Sequence, residues 1–80
     1  MSCVLTESVE KVHTTRLGAE RIGRNLGLSG EDAVEWCRSA ILDKDAVIRR
    51  RGKNWYVHTR GYVITVNAGR CTIITAHKEM

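Results

Sequence analysis

Apolar residues recur every three to four positions along the first half of the chain, which is the spacing of one buried helix face. This spacing predicts a helix over Arg16–Leu26. Either Thr14 or Thr15 can accept a hydrogen bond from its free N–H groups, and Gly27 stands where helices commonly end. The residues predicted to face the interior from this helix are Leu17, Ile22 and Leu26.

A second helix is predicted from Ser29 to about Leu42. Serine is a good N-cap residue, and the acidic residues that follow it suit the positive end of the helix dipole. Ahead of both helices, Thr6 can cap a short helix that runs through Glu10. The residues predicted to be buried are Val9 and Val12 in this first segment and Ala33, Val34, Cys37, Ile41 and Leu42 in the second helix, with Trp36 at its margin.

From Ala46 onward the apolar period falls from 3.6 to 2, as in strands that bury one face. The four runs with this period are Ala46–Arg51, Asn54–Thr59, Tyr62–Asn67 and Cys71–Ala76. Short turn sequences, each with a glycine, separate them. The pattern predicts one α+β domain over residues 1–80, in which two N-terminal helices (about 6–42) pack on one face of a four-stranded antiparallel β-meander (about 46–77).

The turn lengths predict which strand residues face each other. Two-residue loops at the first two turns and an odd loop, Ala68–Arg70, at the third keep one apolar set together under the helices. The predicted facing pairs are Arg50 with Trp55, Ile48 with Val57, Val57 with Ile64, Trp55 with Val66, Ile64 with Ile74, and Val66 with Thr72. The opposite face, which we call the outer face, then carries Val47, Arg49, Arg51, Tyr56, His58, Val63, Thr65, Asn67, Ile73, Thr75 and His77.

Charge adds a class of partner to this picture. The chain has 13 Lys and Arg against 9 Asp and Glu, a net charge of +4. Most of the cations are arginines, whose planar fork of donors matches phosphate oxygens and stacks on bases. A basic domain of this kind suits RNA or another anionic ligand, although a charge of this size also serves solubility.

Several functional classes find no support in the sequence. Cys3, Cys37 and Cys71 are widely spaced and form no zinc-ligand pattern with the histidines, and we expect neither a metal nor a cofactor. No apolar run approaches the roughly 20 residues of a membrane span, and the N-terminal segment lacks the apolar stretch of a signal peptide. We therefore expect a cytoplasmic protein with reduced thiols and no membrane partner.

The predicted outer face holds the groups that metal-independent RNA cleavage requires. Such cleavage needs a base for the 2′-hydroxyl proton, an acid for the leaving 5′-oxygen and cations for the charged phosphorane, and histidine serves the first two because its pKa lies near neutrality. The candidate catalytic residues are His77, His13, His58 and Thr75. The candidate RNA- or phosphate-binding residues are Arg49, Arg51, Lys78, Thr65, Asn67 and Tyr56, the last as a stacking platform for a base.

Each of these residues also has a structural explanation. His58 is compatible with a plain exposed strand position, and His77 lies close to the C-terminus, where chains fray. His13 can support the cap of the following helix. The consecutive arginines at 49–51 alternate between the two faces and can protect a sheet edge against aggregation.

Three segments carry a family resemblance. They are Val12-His13-Thr14-Thr15 with the helix that follows to Leu26, Gly52-Lys53-Asn54-Trp55-Tyr56-Val57, and Ile64-Thr65-Val66-Asn67 with Thr72-Ile73-Ile74-Thr75-Ala76-His77-Lys78. Together they resemble a family of short bacterial proteins known only as a domain of unknown function. The resemblance runs from about Val9 to Lys78 and implies no activity. The turn Ala68-Gly69-Arg70 departs from it, since a bulkier, more polar or aromatic stretch is expected there.

A second resemblance is architectural. Helices followed by an antiparallel meander, with a polar outer face and Thr75 and His77 in the last strand, resemble the barnase, colicin-tRNase and RelE-toxin group of metal-independent RNases. This resemblance implies catalytic roles for His13, Arg49, Thr75 and His77.

Three hypotheses fit these observations. The first is a small metal-independent endoribonuclease of toxin type that acts through a 2′,3′-cyclic phosphate. The second is a non-catalytic module that binds nucleic acid, a nucleotide or a bacterial host protein, such as a phage-borne inhibitor of a bacterial defence system. The third is a subunit that forms a homodimer through an exposed strand edge. The enzyme needs two proton-transferring groups at one phosphate, whereas a binding module needs only the arginines.

Overall fold

Within the described residues, the fold consists of two helices and a four-stranded sheet. In the computed structural model, which describes Leu5 and residues 9–78, a short 3₁₀ helix spans Val9–Lys11. The longer elements are α1 at Arg16–Leu26, α2 at Gly30–Ile41, β1 at Val47–Arg51, β2 at Asn54–Thr59, β3 at Tyr62–Asn67 and β4 at Thr72–Lys78. The strands are antiparallel in the order β1-β2-β3-β4, so the predicted α+β arrangement is confirmed. The predicted cap at Thr6 lies outside the described residues.

Both helices begin at hydroxyl caps. The Thr15 side chain accepts a hydrogen bond from the Gly18 N–H (3.0 Å), and the Ser29 side chain accepts one from the Asp32 N–H (3.3 Å). Gly27 ends α1 in the left-handed region at φ 71°, where glycine carries no steric penalty. These local signals confirm the predicted helix boundaries.

Two leucines predicted to be buried are exposed. Leu17 is 73% exposed, and Leu42, the C-cap of α2, is exposed as well. Leu17 stands nine positions before Leu26, about two and a half helical turns, so the two side chains point to opposite sides of α1. The interior side of α1 is formed by Ile22 and Gly23. The prediction for Leu17 was wrong because Leu17 and Leu26 cannot both face the interior from one helix.

The core lies between the helices and one face of the sheet. α1 packs mainly against α2 and β4, and α2 also contacts β2 and the 3₁₀ helix. Val12 is buried and Val9 packs against the core, as predicted. The buried apolar side chains of this core are Leu5, Val12, Ile22, Ala33, Cys37, Ala40, Ile41, Val57, Ile64, Val66, Cys71, Ile73 and Ala76.

The first three strands have the predicted register, and every predicted pair from β1 to β3 is observed. The turns that join them fit two-residue hairpin loops. Gly52 has a positive φ of 60°, and both Arg60 (φ 55°) and Gly61 (φ 77°) lie in the left-handed region. The side chains of β1 and β2 therefore lie on the predicted faces of the sheet.

The register between β3 and β4 contains an irregularity that the sequence does not predict. Thr65 pairs with Thr75, whereas Val66 pairs with Ile73. Ile74 is the extra residue of this β-bulge and is 45% exposed.

The bulge exchanges the environments of two neighbouring isoleucines. Ile73, predicted on the outer face, is 2% exposed and belongs to the core. Ile64 pairs with Ala76 rather than with Ile74, and Thr72 lies on the outer face rather than opposite a core valine. The sequence misleads here because this strand is apolar at two consecutive positions, so its alternation supports either orientation.

The outer edge of β4 is covered by the N-terminal half of the chain. The His13 N–H donates to the Cys71 carbonyl (3.1 Å), and the His13 carbonyl accepts from the Ile73 N–H (2.7 Å). The Thr14 hydroxyl donates to the Ile73 carbonyl (2.9 Å), and the Asn25 amide donates to a carbonyl farther along β4 (3.0 Å). These bonds satisfy main-chain groups that an edge strand otherwise leaves open.

Candidate functional site

Side chains of all four strands meet on the outer face in three rows. Directly facing residues of antiparallel strands point to the same side of a sheet, so each row follows the register. The rows are Val47, His58, Val63 and His77; Arg49, Tyr56, Thr65 and Thr75; and Arg51, Asn54, Asn67 and Thr72. Strands lie about 4.8 Å apart and the rows about 6.7 Å apart. All predicted site residues except His13 and Lys78 belong to these rows.

A groove of about 310 Å³ lies where the rows reach β1 and β2. Its described lining residues are Arg49, Arg51, Tyr56 and His58. The two arginines stand on the edge strand, and the phenol ring and the imidazole stand on its neighbour. This volume is at the lower end of those that hold small organic ligands.

The two groove arginines have no acidic partner in the part of the chain that the structure describes. The ion pairs found there join Arg16 to Glu20, Arg38 to Glu35 and Arg60 to Asp43. Arg50 points to the other side of β1, where it donates to the Gly52 carbonyl (2.9 Å) and lies over the Trp55 ring (5.3 Å). Arg49 and Arg51 therefore present positive charge that no described carboxylate neutralises.

His58 and His77 occupy the same row, on either side of Val63. Two strand spacings separate their backbones, about 10 Å. Side chains that lean toward each other over the valine can reach opposite sides of one phosphate group. Two of the three predicted proton carriers thus share a row.

His13 does not join this pair. It lies beyond the β4 edge beside Thr72, about 13 Å along the strand from His77. Its Nδ1 is 2.8 Å from the Lys11 carbonyl oxygen, and its Nε2 is 3.2 Å from the Thr72 hydroxyl. Because a carbonyl only accepts, Nδ1 donates, and in the neutral ring Nε2 accepts from the hydroxyl. His13 is therefore a link between the N-terminal segment and β4.

Three residues that the sequence predicts to bind RNA or phosphate are less available for contact with a ligand than Arg49 and Arg51. Lys78 lies on the side of the sheet that faces the helices, because it alternates with the outer-face residue before it. Asn67 uses its Oδ1 to accept from the Gly69 and Arg70 N–H groups, each at 3.0 Å. Thr65 belongs to the outer face but is only 7% exposed.

Sequence reasoning does not identify two further outer-face residues, Asn54 and Thr72. The bulge conceals Thr72. The position of Asn54 on the outer face could have been predicted from the sequence. Asn54 precedes Trp55, which is correctly predicted to face the helices, and neighbouring strand residues point to opposite sides of the sheet. The Asn54 side chain makes no hydrogen bond within the described residues.

No cluster of His, Cys, Asp and Glu among residues 9–78 and Leu5 has the arrangement of a metal site. Burial raises the pKa of the Cys37 thiol to about 12, which makes this core cysteine a poor nucleophile. The pKa of Asp43 is lowered, first by the hydrogen bond from the Asp45 N–H and then by the Arg60 side chain. Arg60 also lies over the Trp36 ring (5.6 Å), so this cluster joins the β2–β3 turn to α2.

The comparisons with known proteins assign a family and no activity. A family model described as protein of unknown function (DUF3781) matches residues 6–77, which include every residue of the groove. No curated protein and no solved structure matches the chain. In the described part of the chain, none of the helices has the length and apolar character that crossing a membrane requires.

Proposed function

The chain belongs to the DUF3781 family of proteins of unknown function, and we propose that its outer face binds single-stranded RNA. One observation carries the proposal: Arg49, Arg51, Tyr56 and His58 line a single groove. Cationic side chains that follow a backbone, next to an aromatic ring on which a base can stack, are the usual parts of a single-strand binding surface.

The two arginines bind successive phosphates. They stand two residues apart on one side of β1, about 6.7 Å along the strand, which is comparable to the phosphate spacing in an extended nucleic-acid strand. Arginine contacts phosphate oxygens through two parallel hydrogen bonds. Because no described carboxylate pairs with Arg49 or Arg51, phosphate binding does not have to displace an internal partner.

Tyr56 selects a single strand over a duplex. It faces Arg49 directly in the register, so a base attached to a phosphate on Arg49 lies over the neighbouring strand. A base can stack on a tyrosine only when its own face is free, as in loops and unpaired strands. His58 lines the same groove, and its imidazole lies on the side of the ribose 2′-hydroxyl, a group that DNA lacks.

Fluorescence anisotropy with a labelled single-stranded RNA decamer tests this proposal. The double variant Arg49→Ala/Arg51→Ala is expected to weaken binding at least about ten-fold at low salt. It is also expected to make the slope of log K against log salt less negative by about 1.4, the value for two phosphate contacts on a single strand.

A charge-matched control is available on α1. Arg21 and Arg24 are exposed and line a separate, shallow groove with Leu17 and Glu20. Arg21→Ala/Arg24→Ala removes the same charge and is expected to change the RNA affinity less than three-fold. Equal losses in the two double variants would show that only net charge matters and would refute a site on the outer face. Duplex RNA and single-stranded DNA of the same sequence are expected to bind more weakly.

Metal-independent RNA cleavage is a second candidate, favoured by the row that contains His58 and His77. In this reaction one imidazole removes the 2′-hydroxyl proton, the 2′-oxygen attacks phosphorus, and the other imidazole protonates the leaving 5′-oxygen. The products are a 2′,3′-cyclic phosphate and a free 5′-hydroxyl. Arg49 and Thr75, in the adjacent row, are the candidates to contact the phosphate oxygens.

Incubation with RNA in EDTA, followed by analysis of the product ends, separates the two functions. Cleavage predicts cyclic phosphate ends from the wild type and none from His77→Gln, with RNA affinity retained in the variant. Intact RNA with the wild type across the pH range where histidine titrates would leave the outer face as a binding surface without catalysis.

A further inference from the structure

We infer that the outer face of β1 and β2 holds two successive nucleotides and that Asn54, which faces Arg51, selects an adenine at the second of them. This inference rests on the proposed function and names the ligand of the same site. Two rows of the outer face repeat one arrangement of side chains. Arg49 faces Tyr56, and in the next row Arg51 faces Asn54, so each row pairs a cation on β1 with a possible base contact on β2.

The repetition has the dimensions of a nucleotide step. Facing residues have Cβ atoms about 4.5–5.5 Å apart, a distance across which a phosphate and its own base can each find a partner. The two rows lie about 6.7 Å apart. A strand that runs along β1 therefore stacks one base on Tyr56 and brings the next base to Asn54.

The Asn54 amide is available for this contact. The other asparagines of the described chain are engaged: Asn25 donates to the Ala76 carbonyl (3.0 Å), and Asn67 accepts from two N–H groups of the β3–β4 loop. The Asn54 side chain makes no hydrogen bond to any described residue, and the residue is only half-buried. Asparagine is also a poor strand former, and the turn before it already has Gly52 with a positive φ. Neither its strand nor its turn thus gives a reason for an amide at this position.

The chemistry of the amide favours adenine. An asparagine side chain presents one acceptor and one donor side by side, which match the N6 amino group and the N7 atom of adenine. A bidentate pair of this kind discriminates against a wrong base by about ten-fold or more. Tyr56, in contrast, stacks on any base, because every base has a π-face.

The test measures binding of three fluorescein-labelled RNA hexamers, oligo(A), oligo(C) and oligo(U), to the full chain. The wild type is expected to bind oligo(A) about ten-fold more tightly than oligo(U). Asn54→Ala is expected to abolish this preference and to change the affinity for oligo(U) less than three-fold. Asn54→Asp keeps the shape but only accepts, so it is expected to lose the adenine preference and to favour oligo(C), whose N4 amino group donates.

Lys53→Ala is the control, because Lys53 is exposed in the adjacent turn and its change is expected to affect the three hexamers equally. Far-UV circular dichroism verifies that each variant is folded. Equal binding of the three hexamers by the wild type, or an adenine preference that survives in Asn54→Ala, would overturn the role of Asn54. Either result, together with a loss of binding in Arg49→Ala/Arg51→Ala, leaves the proposed function standing. Binding that does not depend on these arginines would remove both.

Discussion

Replacing Ile73 by alanine is predicted to destabilise the protein far more than the same replacement of Ile74. The two residues are neighbours in β4, have identical side chains and undergo the same loss of carbon atoms. They differ in environment, because the β-bulge turns Ile73 into the core and leaves Ile74 partly exposed. The chemical change is therefore the same at both positions, and a difference in stability between the two variants reports the difference in environment.

The expected difference follows from burial. Truncating a buried isoleucine to alanine costs about 2–5 kcal/mol, since the transfer free energy is lost and a cavity remains. At Ile74 the change costs less than about 1 kcal/mol, because part of the side chain already contacts water. For a domain of this size, a loss of 2 kcal/mol corresponds to a fall in Tm of about 8 °C or more.

Urea unfolding followed by tryptophan fluorescence, with thermal melts as a second measure, gives both values. A small domain has a narrow stability margin, so Ile73→Val and Ile74→Val serve if Ile73→Ala does not fold, with expected costs of about 0.5–1.5 kcal/mol and near zero. Equal losses at the two positions, or a larger loss at Ile74, would refute the bulge. They would restore the simple register in which Ile74 faces Ile64.

Two further predictions concern residues outside the groove. His13→Ala is expected to lower the free energy of unfolding by about 0.5–1 kcal/mol, because it removes hydrogen bonds at an exposed site. The same change is expected to alter RNA affinity less than two-fold. A ten-fold loss of affinity would instead place His13 in the binding site. Burial raises the pKa of the Cys37 thiol to about 12, so above the ordinary thiol pKa of about 8.5 the unfolded chain loses a proton that the folded chain retains. Stability then falls as the pH rises through this window, and urea midpoints measured from about pH 8 to about pH 10 are expected to fall more steeply for the wild type than for Cys37→Ala. Parallel pH profiles would contradict a thiol kept protonated by burial.

Local signals explain why much of the fold could be predicted. The bounds of α1 follow from Thr15 and Gly27, which act within a few residues of where they stand. The β1–β3 register follows from two short turns with glycine at positive φ. In each case the deciding interaction lies within one turn of the chain.

The side of β4 depends on interactions that the local pattern does not contain. The loop before it has one residue more than predicted, since Asn67 pairs with Thr72 and uses its side chain to hold the loop. The bulge at Ile74 then restores the alternation, so Thr75 and His77 still lie on the outer face. The longer loop and the bulge each reverse the side on which the following residues lie, so their effects cancel for Thr75 and His77. Ile73 lies between the loop and the bulge, so only the effect of the loop applies to it.

The candidate site was partly predictable for the same reason. Arg49, Arg51, Tyr56 and His58 lie on β1 and β2, whose register is set by a two-residue turn, and they line one groove. His13 could not be placed from the sequence, because its position depends on a bridge to a residue 59 positions away.

A titration of ¹⁵N-labelled protein with oligo(A) hexamer, followed by amide chemical shifts, shows directly which surface of the protein binds RNA. If RNA binds the outer face, the largest shift changes fall in β1 and β2, around Arg49, Arg51, Asn54, Tyr56 and His58. Amides of Arg21 and Arg24 on α1 are expected to change little. Changes concentrated on α1, or spread evenly over the basic surface, would contradict an RNA site on the outer face.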